Sequence, residues 1–416
     1  MSPLFARPLG RVLLACLLWA APWVARATDP IDLTLDDALT HARSHAPALR
    51  AAAAGVAEAR GDLRGARVFL AENPEVEATA DPAAPGEGEF AVRQRVEIGW
   101  QRGARIQGAR AGLGAAEAEA LDVEREVAAR VAEAFAALLA AQDRLAITEE
   151  DEALAVRVRD AASRRAQSGV DAPLEADGAR LRAVEASRAR IAAGAEVQAA
   201  AARLVQLAGY EPGTPVRARE GGAPFPDAAT LEAALRHALA ARPDLVAAER
   251  ALDAARAERS LAIAESLPEV TLGAKHDRSG DEPAWQAVAG LTVPLFDQNQ
   301  GDRARAAATV QRREAELDAV RARVEAEVRS AWARYDAARS ALALYDEEVR
   351  RAWREGAAAL AAAFEAGKLS VAETAVLQRE RLESRLAWVE ARRELTKAGA
   401  EMVSAAALDL PEGGTR

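Results

Sequence analysis

Apolar positions along this chain follow two rhythms. In four short segments they alternate with polar ones. Val76, Ala78 and Ala80 oppose Glu75, Glu77 and Thr79; Phe90, Val92, Val96 and Ile98 oppose Arg93, Arg95 and Glu97. Val270, Leu272 and Ala274 oppose Thr271 and Lys275; Trp285, Ala287, Ala289, Leu291, Val293 and Leu295 oppose Gln286 and Thr292. A period of two predicts strands at about 75–81, 88–99, 268–277 and 284–297, each with one apolar face, which Gln94 interrupts. Elsewhere the spacing is three and four, as in Leu317, Val320, Val324, Val328, Ala331, Tyr335, Ala338, Leu342, Tyr345, Val349 and Trp353. That seam predicts long coiled-coil-like helices over about 101–167, 172–208, 300–365 and 370–407. At about 1.5 Å per residue the first and third are on the order of 100 Å long. Shorter helices precede the strands. They restart at Pro47 and Pro243, since proline is accepted in a first helical turn.

The two halves match. Leu35, Ala38, Leu39, His41, Ala42, Pro47 and Leu49 recur 196 positions later as Leu231, Ala234, Leu235, His237, Ala238, Pro243 and Leu245. Val96, Val127, Val131 and Phe135 pair with Val293, Val324, Val328 and Trp332 at offset 197, and Gly169 with Gly367 at offset 198. A register this long predicts an internal duplication. The first repeat is expected over 28–207 and the second over 231–408. A Pro- and Gly-rich linker at 208–230 joins them, with a tail at 409–416.

Composition changes this picture in two ways. The 416 residues would serve two or three ordinary domains, but aromatics are only 4%. Blocks of Ala, Arg, Glu and Leu point instead to helices with thin interfaces. The opening segment stands apart: Arg7 and Arg11, an apolar run from Val12 to Val24, then Ala25-Arg26-Ala27. It is expected to be a signal peptide at 1–27, cleaved after Ala27 rather than lipidated at Cys16. The mature chain would then lack cysteine, and its formal charge would move from −10 to −13 with the loss of three arginines. An acidic exported chain is a poor nucleic-acid binder.

No phosphate loop, nucleophile elbow or Cys/His cluster occurs, which argues against an enzyme and against a bound cofactor. His41 and His45 have helical metal-ligand spacing, but the equivalent His237 has no second histidine, so a structural role is expected. His276 beside Asp277 is a similarly weak site. The strands carry the stronger signal. One apolar and one polar face suits any half-buried sheet, and in an exported chain it also suits a membrane barrel. Four strands cannot close a barrel, and open edges are not viable in lipid, so several chains would have to share one.

Signal peptide, duplication, and two strands followed by a long helical hairpin in each half resemble the TolC family of outer-membrane efflux proteins over essentially the whole mature chain. The segments RQRVEIGWQRGARI (93–106) and VPLFDQNQG (293–301) are most similar to the cation-efflux branch typified by CzcC. That branch usually carries Gly-Gly-Lys where this chain has Gly99-Trp100-Gln101; Trp100 at a strand end suits an aromatic girdle. The resemblance implies a mainly α fold with a small β part. It implies a homotrimer whose four strands per chain make a shared 12-stranded outer-membrane β-barrel, continued by a periplasmic helical tunnel. The location would be the outer membrane of a Gram-negative bacterium. Each strand-to-helix segment would be where a barrel strand hands over to a tunnel helix.

The implied partners are outer-membrane lipid, a periplasmic adaptor and an inner-membrane RND-type pump. Lipid would face Val92, Val96, Leu272, Trp285, Leu291 and Val293. The adaptor would meet the hairpin tips at Gly169, Val170 and Asp171 and at Gly367, Lys368, Leu369 and Ser370; a plain helix reversal would use the same glycines. Glu175 and Glu373, each six residues past a tip glycine, are candidates for a periplasmic gate, with Asp177 weaker. They are equally placed as acids near helix N-termini. The implied function is a passive exit duct of a tripartite system for heavy-metal cations. Drugs, small organics or type I secretion are the alternatives within the family. A soluble periplasmic coiled-coil scaffold or adaptor is the alternative of another class.

Overall fold

The structure is a computed structural model that describes residues 29–80, 82, 87–170, 172–220, 230–278 and 284–408. The expected signal peptide, the C-terminal tail and Asp171 therefore lie outside the described residues. The first half runs β1 (Ile31–Leu33), α1 (Leu35–His45), α2 (Pro47–Ala66), β2 (Glu75–Ala80), β3 (Gly88–Val96), α3 (Gln101–Gln167) and α4 (Pro173–Ala208). The second runs β4 (Val216–Ala218), α5 (Leu231–Ala241), α6 (Pro243–Ala264), β5 (Glu269–Asp277), β6 (Ala284–Thr292), α7 (Gln300–Ala343), α8 (Glu347–Glu365) and α9 (Val371–Ala405).

Local chemistry explains the short helices. The Thr34 hydroxyl accepts from the Asp37 N–H while Asp37 reaches back, a reciprocal cap that starts α1. Thr230 caps α5 in the same way at its hydroxyl. Pro47 and Pro243 then end these helices and open α2 and α6. α3 packs along α4 and α9, and α9 packs along α7, so the long helices form one layer. Its interfaces are built mostly from alanine, which lets axes approach closely. Larger residues gather in clusters, two of which seat the short helices. Val131, Phe135, Leu138 and Leu204 bury with α1 and the β1–β4 pair. Val324, Val328 and Met402 bury with Ala234 and Ala238 of α5.

Three features differ from the pattern-based expectation. The segment 208–230 is not wholly irregular: β4 pairs in parallel with β1, Leu33 opposite Ala218. Gln142 of α3 completes the edge, its amide nitrogen donating to the Ala218 carbonyl and its oxygen accepting the Ala218 N–H, both at 2.9 Å. Second, the expected helix over 300–365 breaks at 344–346. The Asp346 carboxylate accepts from the Val349 N–H at 2.9 Å and starts α8 afresh. The seam conceals the break, because Leu342, Tyr345, Val349 and Trp353 keep their spacing across it and all stay half-buried. Third, β3 stops at Val96 and β6 at Thr292, so Ile98, Val293 and Leu295 lie beyond the ladder in the hand-over to helix. Trp100 accordingly sits at the N-cap of α3, exposed, rather than on a strand.

One buried charge cluster ties the second half together. Arg242 is 2% exposed and forks onto Asp244 at 2.9 and 2.7 Å while donating to Glu327 at 2.6 Å. Burial alone would push the Asp244 carboxyl up; the hydrogen bonds and charge of Arg242 outweigh it and hold the carboxyl below its ordinary value. Stability from this group is complete above the ordinary carboxylate range and is lost as pH falls toward the depressed folded value. We expect the thermal midpoint in detergent to fall below about pH 4, and Arg242→Ala to flatten that limb and cost roughly 3–5 kcal/mol at neutral pH. A variant with the wild-type acid limb would refute the assignment.

Candidate functional site

The four longer strands form one antiparallel sheet in the order β2-β3-β5-β6. Its register sorts the side chains into two faces. Val76, Val92, Ala274 and Ala287 align across the sheet, as do Ala78, Phe90, His276 and Trp285, and Val96, Val270 and Leu291. Leu272 stands on this face between Gln94 and Ala289. The sheet thus brings Val92, Val96, Leu272, Trp285 and Leu291 together, while Val293 follows one residue after β6. Trp285 is 67% exposed and Leu291 62%, so the apolar face has no cover among the described residues. Gln94, the exception, donates to the Glu72 and Arg95 carbonyls at 3.0 and 2.8 Å.

The other face is a ladder of ion pairs. Arg93 meets Glu77 at 2.8 Å, Arg95 meets Glu72 and Glu269 at 3.0 and 3.3 Å, and Lys275 meets Glu89 at 2.7 Å. His276 and Asp277 fall on opposite faces, as neighbours in a strand must, so they do not converge on a ligand. His276 instead stacks on Trp285, ring centroids 4.7 Å apart.

Both hand-overs from sheet to helix are pinned to the same place. The Gln101 amide nitrogen donates to the Ala264 carbonyl and the Asn299 amide nitrogen to the Ala262 carbonyl, each at 3.1 Å. These are the C-terminal carbonyls of α6, which have no helical partner of their own. A Cβ at Gly99 would lie 2.6 Å from the Gln101 Oε1 and 2.9 Å from the Leu267 side chain, so any larger residue there must displace both side-chain ends.

At the far end of the layer the hairpins reverse at Gly169 and Gly367, with φ of 74° and 71°, conformations that favour glycine. Val170 is exposed, and Lys368 to Ser370 continue the second tip. Ser370 caps α9: its hydroxyl accepts the Glu373 N–H at 3.2 Å, while its own N–H and hydroxyl donate to the Glu373 carboxylate at 2.9 Å. Those bonds hold the Glu373 carboxyl below its ordinary value. Glu175 accepts from the Val371 N–H at 3.2 Å. Both candidate gate carboxylates therefore sit at the N-terminus of one helix, α9. Asp177 faces Arg180 at 3.5 Å on an exposed turn of α4.

A buried polar junction above the tips was not foreseen from sequence. Asp151 of α3 is 3% exposed; Arg182 of α4 donates to it at 2.7 Å and Gln378 of α9 at 2.7 Å. It links three helices in a layer otherwise held by alanine. A signal did exist: acids at consecutive positions 149–152 cannot all lie on a solvated face of a helix. His41 and His45 stack with centroids 4.1 Å apart and planes 13° apart, a geometry that does not converge on an ion. The His41 Nδ1 lies 3.0 Å from the Ala208 carbonyl and the His237 Nδ1 2.9 Å from the Ala406 carbonyl, so each serves a helix C-terminus. Among the described residues no group of three or more His, Cys, Asp or Glu is arranged to hold a metal ion.

A sheet with one bare apolar face, joined to helical hairpins on the order of 100 Å long, is the architecture of an outer-membrane channel component. Comparison with known proteins agrees. The family described as "Outer membrane efflux protein" matches residues 38–210 and 234–407. Protein CyaE of Bordetella pertussis is 32% identical over 358 residues, which cover 77% of this chain and 73% of that protein. The cobalt-zinc-cadmium resistance protein CzcC of Cupriavidus metallidurans is 31% identical over 277 residues, 65% of either chain. The crystal structure of CusC superimposes with a TM-score of 0.74 at 18% identity, over 97% of this chain and 98% of that one. The chain belongs to the outer membrane efflux protein family.

The junction at Asp151 makes a stability prediction. Asp151→Ala leaves Arg182 and Gln378 buried without their acceptor and should cost roughly 3–5 kcal/mol, read as a lower thermal midpoint in detergent. Glu126→Ala, which removes only a surface pair with Arg130, should cost under about 1 kcal/mol. Equal effects of the two would sink the junction's role.

Proposed function

We propose that this chain is the exit duct of a tripartite efflux system and that three copies close one barrel. The observation that carries the reading is the open four-stranded sheet with one bare apolar face. β2 and β6 are unpaired on their outer sides among the described residues, and an open edge is not tolerated in lipid. Four strands from each of three copies make twelve, enough for a closed barrel with an aqueous bore. The ion-pair ladder then faces that bore. The two halves arise by duplication, a reading supported by the double match to the family and by the same order of elements in each.

The chain performs no chemical step; an inner-membrane pump of the RND type supplies the energy and a periplasmic adaptor docks at the tips. The cargo is divalent heavy-metal cations. The similarity to a cobalt-zinc-cadmium resistance protein supports this, as does the net negative charge of the chain. Glu175 and Glu373 of three copies would set a ring of negative charge at the tunnel mouth, which attracts cations. A soluble scaffold would not leave the sheet's apolar face uncovered.

Four measurements test this. Leu272→Arg places a charge in the middle of the apolar face, and outer-membrane assembly should be lost, at a cost of about 2–4 kcal/mol per chain at mid-bilayer depth; wild-type recovery from the membrane fraction would refute the barrel. The native protein should run as a trimer in mild detergent, and a deletion strain should become sensitive to cobalt, zinc and cadmium. For the gate, Glu175→Gln with Glu373→Gln should reduce cation selectivity of the channel in planar bilayers several-fold. Unchanged reversal potentials would remove both residues from that role.

A further inference from the structure

The two tips belong to different halves of the chain, yet the first holds the second at both of its helix ends. Arg165, in the last turn of α3, donates to the Phe364 carbonyl at 3.1 Å, its guanidinium 5.3 Å from the centroid of the Phe364 ring. Glu175, in the first turn of α4, accepts from the Val371 N–H at 3.2 Å. α8 ends at Glu365 and α9 begins at Val371. A cation thus meets the negative end of one helix and an anion the positive end of the next, the favourable sign at each. Phe364 and Val371 are buried in one cluster with Leu154, Val158 and Ala179, so both bonds close over an apolar floor.

Among the described residues the arrangement is one-way, and two differences between the halves account for it. At offset 198, Arg165 corresponds to Ala363, which has no donor to return. Ser370 corresponds to Ala172. In the second tip Ser370 engages Glu373 in a local capping box, whereas α4 has no side-chain cap at Ala172. With no local hydroxyl to engage it, Glu175 reaches across to α9.

We propose that Arg165 and Glu175 are positioning residues that clamp the second tip to the first, so that Val170 and Leu369 are offered to the periplasmic adaptor as one composite surface. The local bonds of the second tip, Gly367 N–H to the Phe364 carbonyl and Lys368 N–H to the Ala363 carbonyl at 2.9 Å each, shape the turn but do not set its place against the first. The docking role rests on the duct reading given above; the clamp itself does not.

Hydrogen–deuterium exchange of the full chain in detergent reads the clamp with no partner present. Glu175→Ala and Arg165→Ala should each speed exchange across 364–372 by roughly tenfold, the effect of losing a charge-assisted bond. Glu175→Gln, which keeps an acceptor but loses the charge, should fall between Glu175→Ala and wild type. Ala172→Ser, which leaves both clamp residues in the sequence, should speed exchange at Val371 by drawing Glu175 into a local box. Unchanged exchange in both alanine variants would overturn the clamp, whether or not the chain supports efflux. The second readout is metal tolerance of a complemented deletion strain, expected to fall in Arg165→Ala and to return in Arg165→Lys, which keeps a cationic donor and leaves both gate carboxylates in place. Faster exchange with full tolerance would overturn the docking role and leave the duct standing.

Discussion

The structure depends on where the sheet gives way to helix. A ladder strand spends its backbone groups on neighbours, a helix on itself, and the few residues between have neither arrangement. Here the change occurs at 97–100 and at 293–299, and each is fixed by a side-chain amide. Gln101 and Asn299 both donate to carbonyls at the end of α6, one from the same half and one from the other. The Asn299 bond meets a carbonyl in the last turn of α6, and the Gln101 bond adds to the Leu267 N–H that the Ala264 carbonyl already accepts at 3.2 Å. Together they set both long helices against one reference point, so the direction of α3 relative to α7 follows from two bonds of 3.1 Å.

Away from those anchors the helical layer is held by small residues, which bury little area each and specify register weakly. Specificity comes instead from a few buried polar groups. Asp151 joins α3, α4 and α9 at one level, and Arg242 joins α6, α7 and the C-terminal carbonyl of Ala405 at another. A buried ion pair adds little net stability over an apolar pair, but it penalises every register in which a partner is missing. In a layer of near-identical alanine ridges that penalty selects one alignment. The helix ends add a second set of constraints: His41 and His237 meet the carbonyls ending α4 and α9, and Arg125 donates to the Ser404 carbonyl at 3.2 Å.

Much of this was legible in the amino-acid pattern, for a physical reason. Strands and helices with one apolar face must repeat at two or at three and four, and the apolar face of the sheet appeared at Val92, Leu272 and Leu291 before any register was known. Signals were lost where periodicity is uninformative. The β1–β4 pair is three residues long on each side, too short for a pattern to emerge. The break at 344–346 inserts nothing into the seam, so spacing passes through it. Its trace was the run Asp346-Glu347-Glu348, a cap and two acids of a first helical turn, hidden in a chain rich in acids. The partner of Glu175 lies 196 positions away, and those of Asp151 lie 31 and 227 away, so only the packing of the hairpins brings them together.

Comparison of the halves gives the last step. Where they agree, as at the tip glycines and at His41 and His237, the shared residue supports backbone geometry that both halves need. Where they differ, a single substitution redirects a charge. Ala46 and Arg242 occupy positions 196 apart; both are buried, but only the arginine gathers Asp244 and Glu327 around it. Ala172 and Ser370 are 198 apart, and the missing hydroxyl sends Glu175 across to the other tip. A structure of two matched halves would otherwise present two equivalent tips and two equivalent shoulders. These substitutions make the halves inequivalent at the ends of the helices and leave the alanine packing between them unchanged. Asymmetry is least costly there, because helix ends already carry unpaired groups that accept a charge of either sign.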